Sequence, residues 1–253
     1  MRLIDEQGSV AQGKALDIQQ SGAVDGFGTK LTSASAIAAA AGAAAVVIAD
    51  AAAGDAEYAG EAGLALVKRL TAIESRAPLI FAGNTQRSVI VRAASELHVA
   101  RQRLIGSAPS ALEAAVRALA ALEADGSASE MQLRVVGVPP DAAVIAWEEA
   151  TASGQPISSL IPPHRLLAIS ARLPRLWPLG PFALASAAAR VAEAAANGSR
   201  RRYTCFVCVS EGEMPAAVLA LPVEIARTGV TRVLRPSLTR QEQTLLDNAA
   251  ASD

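Results

Sequence analysis

Short apolar runs alternate with alanine-rich helical segments in the first 105 residues, and this rhythm limits the fold more than any other feature of the sequence. Strands are predicted at Arg2–Ile4, Ala43–Ile48 and Pro78–Ala82, and helices at Gly13–Gln20, Gly60–Ile73 and Ser88–Leu97. Strands that are apolar throughout are typical of parallel sheets that are buried on both faces. The alternation therefore predicts an α/β fold, with a mostly parallel sheet covered by helices.

Beyond residue 105 the alternation ends, and long helices are followed by a run of strands. Helices are predicted at Ala108–Ala124, Pro162–Ala171, Phe182–Ala196 and Leu238–Asn248, and strands at Gln132–Val136, Ala143–Ala146, Tyr203–Val209, Ala217–Val223 and around Val233. Helices and strands that do not alternate strictly indicate an α+β arrangement. We therefore predict two domains, a parallel-sheet domain at 1–105 and an α+β domain at 106–253.

The charge balance argues against strongly charged partners. Lys and Arg total 23 and Asp and Glu total 24, which gives a formal net charge of −1. The run Arg200–Arg202 is isolated, and fits either a solvated turn or an anion contact. The longest apolar stretch, Ala34–Ala49, is too short and too weakly hydrophobic to span a bilayer, and no signal peptide is recognised. We expect a cytoplasmic protein with no nucleic-acid or membrane partner.

The two cysteines, Cys205 and Cys208, lie three residues apart on a predicted strand. Positions three apart on a strand point to opposite faces of the sheet, so the two thiols are not expected to meet. A redox pair or half of a metal site is the alternative, but the sequence has no second cysteine pair. We predict buried thiols in a reducing compartment and no metal site.

Five motifs, in the same order along nearly the whole chain, resemble the malate/lactate dehydrogenase family. They are LID…QGKALDI (Leu3–Ile18), GFGTKLT (26–32), AAAVVIAD (43–50), RLIG (103–106) and LPVEIARTGVTRVLRPSLTRQEQTLLDNA (221–249). QGKALDI is the most specific of them. The resemblance implies a Rossmann-like first domain, here truncated, and a family-type C-terminal α+β domain. It also implies hydride transfer between NAD and a 2-hydroxy acid, and assembly into dimers or tetramers.

The resemblance leaves cofactor binding incomplete. Asp5 matches the family's acidic residue at the adenosine ribose, and Asn84 matches the asparagine at the nicotinamide ribose and substrate. Each also fits a turn. No Gly-x-Gly-x-x-Gly pattern occurs, and Leu3–Asp5 resembles the family's second strand rather than its first. NAD binding is thus possible by resemblance and lacks its phosphate cradle. The family's first strand is central, so we expect either that the second and fourth strands close up or that the true start lies upstream.

The family binds its substrate carboxylate with arginines on the loop after the fourth strand. Here residues 49–67 contain no Arg or Lys, and the arginine positions fall near Asp55 and Glu61. Arg69 lies further along the next helix. An acidic loop of this kind would suit a cationic or neutral ligand better than a dicarboxylate.

The family's proton-transfer residues are also replaced. Glu113 stands at the position of the family aspartate, and Val116 stands at the position of the family arginine, with Arg117 about 100° further round the helix. Pro139 stands where the resemblance places the catalytic histidine. A proline side chain has no titratable group, so it cannot take part in acid–base chemistry.

The histidines His98 and His164 fall in no matching motif, and we expect surface or helix-end positions for both. One interpretation is a catalytically inactive or strongly altered relative that serves as a non-catalytic subunit or binds a ligand. The other is an NAD-dependent malate or 2-hydroxy acid dehydrogenase with substitute groups, for which the candidates are Glu113, Asp141 and His164. A different ligand or reaction on the same scaffold stays open.

Overall fold

A computed structural model describes residues 1–50, 57–209 and 217–251, which form seven α-helices and thirteen strands. The helices are α1 Gly8–Asp25, α2 Gly60–Ile73, α3 Arg87–Ser95, α4 Ala108–Glu123, α5 Pro163–Ser170, α6 Pro181–Asn197 and α7 Arg240–Ala251. The strands are β1 Arg2–Ile4, β2 Thr32–Ala34, β3 Val46–Ile48, β4 Leu79–Phe81, β5 Leu104–Gly106, β6 Met131–Gln132, β7 Val135–Val138, β8 Ala142–Ile145, β9 Thr151–Ala152, β10 Gln155–Pro156, β11 Arg202–Val209, β12 Ala217–Ala226 and β13 Gly229–Val233.

The main sheet has the order β3-β4-β5-β11-β12-β7-β8, with β13 paired to β12. Strands β3, β4 and β5 run parallel and are connected through α2 and α3, which confirms the α/β class with a parallel sheet. Gly106 at the end of β5 pairs with Phe81 on one side and with Phe206 on the other. The sheet therefore runs without interruption across residue 105, and the division into two domains there stays a prediction.

Strands β1 and β2 form a separate parallel pair. Among the residues that the structure describes, β1 pairs only with β2, and β3 pairs only with β4. The expectation that the second and fourth family strands close up is therefore wrong. A side-chain contact links the β1–β2 pair to the rest of the chain instead. The Arg2 guanidinium donates to the carbonyl of Ala39 at 2.7 Å, and Ala39 lies in a helical turn that also packs against α2.

The two faces of the main sheet carry separate apolar layers. Leu79 and Phe81 of β4 face the layer under α2, α3 and α4, whereas Ile80 between them faces the layer under α6. Cys205 and Cys208 likewise lie in opposite layers as free, buried thiols, as predicted. Burial raises the pKa of Cys205 to about 12, because a thiolate is poorly solvated in an apolar layer.

Local sequence patterns predict one helix end correctly and another one wrongly. Gly198 ends α6 in the left-handed conformation, at φ 63°, as the Asn-Gly pair predicts. Ser237 stands directly before the predicted helix Leu238–Asn248 and is a suitable N-cap residue by type, but its N–H donates to Glu149 at 2.6 Å. Thr239 and Glu242 form a reciprocal capping box instead, and α7 begins at Arg240. No helix in the described part of the chain is long and apolar enough to cross a membrane.

Candidate functional site

The carboxyl ends of parallel strands are where open α/β sheets bind their ligands. Asp5 follows β1, Asp50 follows β3 two residues after its end, and Asn84 follows β4. These three residues therefore mark the strand ends at which a ligand is expected, Asp5 in the β1–β2 pair and the other two in the main sheet. The structure shows what each of them contacts.

Asp5 lies in the turn between β1 and α1. Its N–H donates to the carbonyl of Ala34 at 3.2 Å, and its carboxylate Oδ1 accepts a hydrogen bond from the N–H of Gln7 at 2.8 Å. A carboxylate that accepts from the N–H two residues further on forms an Asx turn, which is the turn role that the sequence also allowed. The contact with an adenosine ribose stays a prediction.

Asn84 is joined to the second half of the chain by two hydrogen bonds. Its Nδ2 donates to the carbonyl of Leu179 at 3.1 Å, and its Oδ1 accepts from the N–H of Leu179 at 3.0 Å. Leu179 is buried and lies just before α6. The carboxamide is thus engaged by main-chain groups 95 residues away, which fits a structural role for Asn84; its predicted contact with cofactor and substrate stays a prediction.

Glu57 is a site residue that sequence reasoning missed. Its carboxylate accepts hydrogen bonds from the N–H of Asn84, the N–H of Thr85 and the hydroxyl of Thr85, each at 2.6 Å. It thereby satisfies main-chain N–H groups of the segment between β4 and α3 with a carboxylate from the protein itself. No local sequence signal marks this pairing, because Glu57 lies 27 residues before Asn84.

Asp50 and Glu57 are negatively charged neighbours at this edge. Partial burial, followed by the charge of Glu57, raises the pKa of Asp50, because both effects disfavour its ionised form. Three donors satisfy the Glu57 carboxylate, and Glu61 pairs with Arg92 at 2.7 Å. Two carboxylates of the acidic segment 49–67 therefore have partners within the protein, which weakens the argument that this segment binds a cationic ligand.

The arginine positions give no carboxylate anchor here. Asp55, at one of these positions, lies outside the described residues. Arg69 contacts Glu6 at 3.6 Å, and both side chains are more than half exposed. Val116 is completely buried in the core.

Glu113, which the resemblance matches to the family aspartate, is only 4% exposed. Its carboxylate accepts from the Arg134 guanidinium at 2.8 Å and from the hydroxyl of Thr204, which is fully buried on β11. These bonds join α4 to β11 and to the residue before β7. They go to Arg134 and Thr204 rather than to the β7–β8 turn, where the family aspartate would have its histidine.

A cavity of about 190 Å³ lies beside this buried pair. It is lined by Arg117, Arg134 and Arg202 as well as by Glu113. The Nε of Arg117 is buried and has no hydrogen-bond partner among the described residues. Neither Asp5 nor Asn84 lines the cavity, so it is not part of the site at the strand ends.

The remaining candidates do not converge on Asn84. Pro139 is buried in the β7–β8 turn, with Asp141 exposed two residues later. His98 and His164 are exposed, after α3 and in the first turn of α5 respectively, as expected. Within the described ranges, no group of three or more His, Cys, Asp or Glu side chains could hold a metal ion.

Known proteins resemble the chain along almost its whole length, although no family model matches it. A malate dehydrogenase from Roseiflexus castenholzii is 27% identical over 267 residues, which cover 98% of this chain and 86% of that protein. A malate dehydrogenase from Chloroherpeton thalassium is 24% identical over 269 residues, with the same coverage.

Solved structures share the fold. A lactate dehydrogenase from Cryptosporidium parvum, complexed with lactic acid and nicotinamide adenine dinucleotide, has a TM-score of 0.85 at 22% identity, covering 99% of this chain and 86% of that one. A malate dehydrogenase from Aeropyrum pernix has a TM-score of 0.83 at 16% identity, covering 99% and 87%. The sequence similarity over 98% of the chain and the shared fold together support the malate/lactate dehydrogenase family.

Proposed function

We propose that this chain is a non-catalytic relative of the malate/lactate dehydrogenases, which keeps the scaffold and serves as a partner subunit or binds a ligand. The observation that carries the proposal is buried Pro139 in the β7–β8 turn, the position to which the sequence resemblance assigns the family's proton-transferring histidine. Hydride transfer to a 2-oxo acid needs a proton donor beside the reacting oxygen, and a pyrrolidine ring cannot supply one.

The supporting groups are engaged elsewhere. The Glu113 carboxylate is satisfied by Arg134 and Thr204, and the Asn84 carboxamide by the main chain of Leu179. Turning either group towards a ligand would cost it these internal hydrogen bonds, and each lost bond would weaken the binding of that ligand.

The residues present fit a dinucleotide only in part. Asp5 lies at the carboxyl end of β1, where a carboxylate could accept from a ribose hydroxyl. The sequence contains no glycine-rich turn to bring main-chain N–H groups against a pyrophosphate, and Glu57 already accepts from the N–H groups of Asn84 and Thr85 after β4. We therefore derive no catalytic step through NAD.

The second candidate is an NAD-dependent malate dehydrogenase with substitute catalytic groups. It is favoured by the similarity to malate dehydrogenases over 98% of the chain, and by a structural neighbour that was solved with lactic acid and the dinucleotide. The substitutes would be Glu113, Asp141 or His164. Of these, Glu113 is buried in an ion pair, and the other two are exposed.

Titration of NADH fluorescence against the purified full chain tests the proposal, together with an assay of oxaloacetate reduction. We expect no saturable NADH binding at ordinary cofactor concentrations and no turnover. Turnover that Glu113→Gln or His164→Gln abolishes, while the matched exposed variant Glu61→Gln retains it, would establish the second candidate. NADH binding without turnover would support the form of the proposal in which the chain binds a ligand. It would exclude the form in which the chain is a partner subunit that no longer binds the cofactor.

We further propose a homo-oligomer, a dimer or a tetramer, that is located in the cytoplasm and holds no metal. The support for assembly is the family resemblance, and apolar side chains on α1 and α6 are largely exposed, among them Val24 at 87% and Phe182 at 89%. Light scattering after size-exclusion chromatography would give the mass, and a monomer at micromolar concentration would contradict this proposal.

A further inference from the structure

The cavity beside Glu113 has a lining that carries more positive than negative charge. Its charged side chains are three arginines and one glutamate, namely Arg117, Arg134, Arg202 and Glu113. Its volume of about 190 Å³ is far above the ~10–15 Å³ that one water molecule needs, and it is below the ~300–1,000 Å³ of pockets that hold drug-sized molecules. The size of the cavity therefore suits a small ligand, and the charge of its lining favours an anion.

Two of the three arginines already have a carboxylate partner. The Arg134 guanidinium pairs with Glu113 at 2.8 Å, and the Arg202 guanidinium pairs with Glu224 at 3.1 Å. Each of these pairs is neutral as a whole. The positive charge that the lining leaves uncompensated is therefore that of Arg117.

Arg117 lies one helical turn after Glu113 on α4, at the i,i+4 spacing that ordinarily lets a glutamate and an arginine pair. The Glu113 carboxylate bonds to Arg134 and Thr204 instead. Among the residues that the structure describes, the Nε–H of Arg117 is buried and has no hydrogen-bond partner. A buried N–H of a charged group is costly when it has no acceptor, so an acceptor is needed on the cavity side of Arg117.

The charge and the shape of the cavity indicate which acceptor fits. One uncompensated cation requires a single negative charge, and a second negative charge would face the Glu113 carboxylate in the same lining. The planar fork of a guanidinium matches the two oxygens of a carboxylate. Met131 and Leu133 supply buried apolar surface, which suits a short hydrocarbon chain. The Arg202 side chain is 58% exposed, so the lining reaches solvent and a free ligand can enter.

We propose that the cavity between α4, β6 and the start of β11 binds a short-chain monocarboxylic acid. Its carboxylate pairs with the Arg117 guanidinium, and its carbon chain lies against Met131 and Leu133. This inference goes beyond the proposed function, because the cavity is separate from the strand ends and its occupation requires neither NAD nor turnover. The two proposals fail independently, since one is decided by NADH binding and turnover and the other by the response of Arg117.

Two-dimensional ¹H–¹⁵N NMR of the full chain observes the Nε–H groups of arginine side chains and gives the first test. In a titration with sodium propionate at constant ionic strength, we expect a saturable shift of the Arg117 Nε–H in the millimolar range. Propionamide, which has nearly the same shape and no charge, is the matched control and should leave this signal unchanged. If propionate gives no saturable shift, water is the partner of the Nε–H and the proposal is overturned.

Two further outcomes of the titration concern the kind of ligand and its place. Inorganic phosphate, at a pH where it carries two charges, should bind at least about tenfold more weakly than propionate, because its second charge would face Glu113. Phosphate that binds as tightly as propionate would overturn the assignment to a monocarboxylate. Propionate shifts confined to the main-chain amides of Asn84 and Thr85 would place the ligand at the strand ends, and would also overturn the proposal.

Substitution of single arginines tests which cation holds the carboxylate. Arg117→Gln should weaken propionate binding by at least about tenfold, followed at the main-chain amide of Leu133. Arg190→Gln removes an arginine of α6 that is 68% exposed and does not line the cavity, and it should preserve binding. Equal affinity in Arg117→Gln and wild type would overturn the proposal, and the titration of the wild-type chain decides it even if that variant does not fold.

Discussion

Removal of the Glu113 carboxylate is the perturbation whose effect the structure fixes most closely. In Glu113→Ala, the Arg134 guanidinium loses its partner and the buried Thr204 hydroxyl loses its acceptor. Breaking a buried ion pair by removing one side costs about 3–5 kcal/mol. Arg134 is 31% exposed and can be partly hydrated, so we expect the low end, about 3 kcal/mol. For a chain of this size the melting temperature should fall by roughly 6–12 °C.

Two further variants separate the charge from the hydrogen bond. Glu113→Gln keeps an acceptor of the same shape and should cost less, about 1–2 kcal/mol. Glu61→Gln removes the charge from an ion pair with Arg92 in which Glu61 is 84% exposed, and should cost less than about 1 kcal/mol. Urea unfolding monitored by circular dichroism measures all three. In a double-mutant cycle, Glu113→Gln and Arg134→Met should show a coupling energy of about 1–3 kcal/mol.

The result that would refute this reasoning is a Glu113→Ala protein that unfolds within about 1 kcal/mol of the wild type. The buried contacts would then not be stabilising as the geometry requires. If the same variant also lost a measurable oxaloacetate reductase activity, Glu113 would be serving the reaction and not the packing of α4 on β11. Loss of stability without any activity to lose is the outcome that agrees with the proposed function.

Asn84, Asp50 and the two cysteines each give one further prediction. Asn84→Ala removes both hydrogen bonds to Leu179 and should lower the free energy of unfolding by about 2 kcal/mol; an unchanged urea midpoint would contradict this. Burial and then the charge of Glu57 raise the pKa of Asp50 in the folded state, so wild-type stability is lost as pH rises through that pKa. Asp50→Asn should therefore be more stable than wild type at neutral pH, and the difference should vanish below the unfolded pKa; a constant difference across pH would be the contrary result. Cys205 and Cys208 are both buried, so neither should react with a thiol reagent until the protein unfolds; fast labelling of the native protein would show the burial to be wrong.

Features with a short-range cause could be predicted from the sequence. The helix Gly60–Ile73 was predicted with its observed limits, because its apolar residues recur at helical spacing over four turns. The strand Arg2–Ile4 and the αL end of α6 at Gly198 were also correct. The opposite faces of Cys205 and Cys208 follow from the two-residue period of any strand.

Features that depend on distant partners could not be predicted in this way. The resemblance predicts site positions at Asp5, Asn84, Glu113 and Pro139. Only the structure shows what surrounds each of these side chains. Glu57 shows the difficulty best, because its carboxylate accepts from main-chain groups 27 and 28 residues further along the chain. A local pattern indicates a turn with main-chain N–H groups, but it does not indicate which remote side chain will accept from them.

By itself, the sequence determined the order and the character of the elements, since propensity and apolar periodicity act over a few residues. The tertiary structure alone decided that Asn84 bonds to Leu179, that Glu113 joins Thr204 to Arg134, and that β1 and β2 pair apart from the main sheet. Those outcomes depend on which surfaces the chain topology brings together, and burial then makes each polar group take a partner that is within reach.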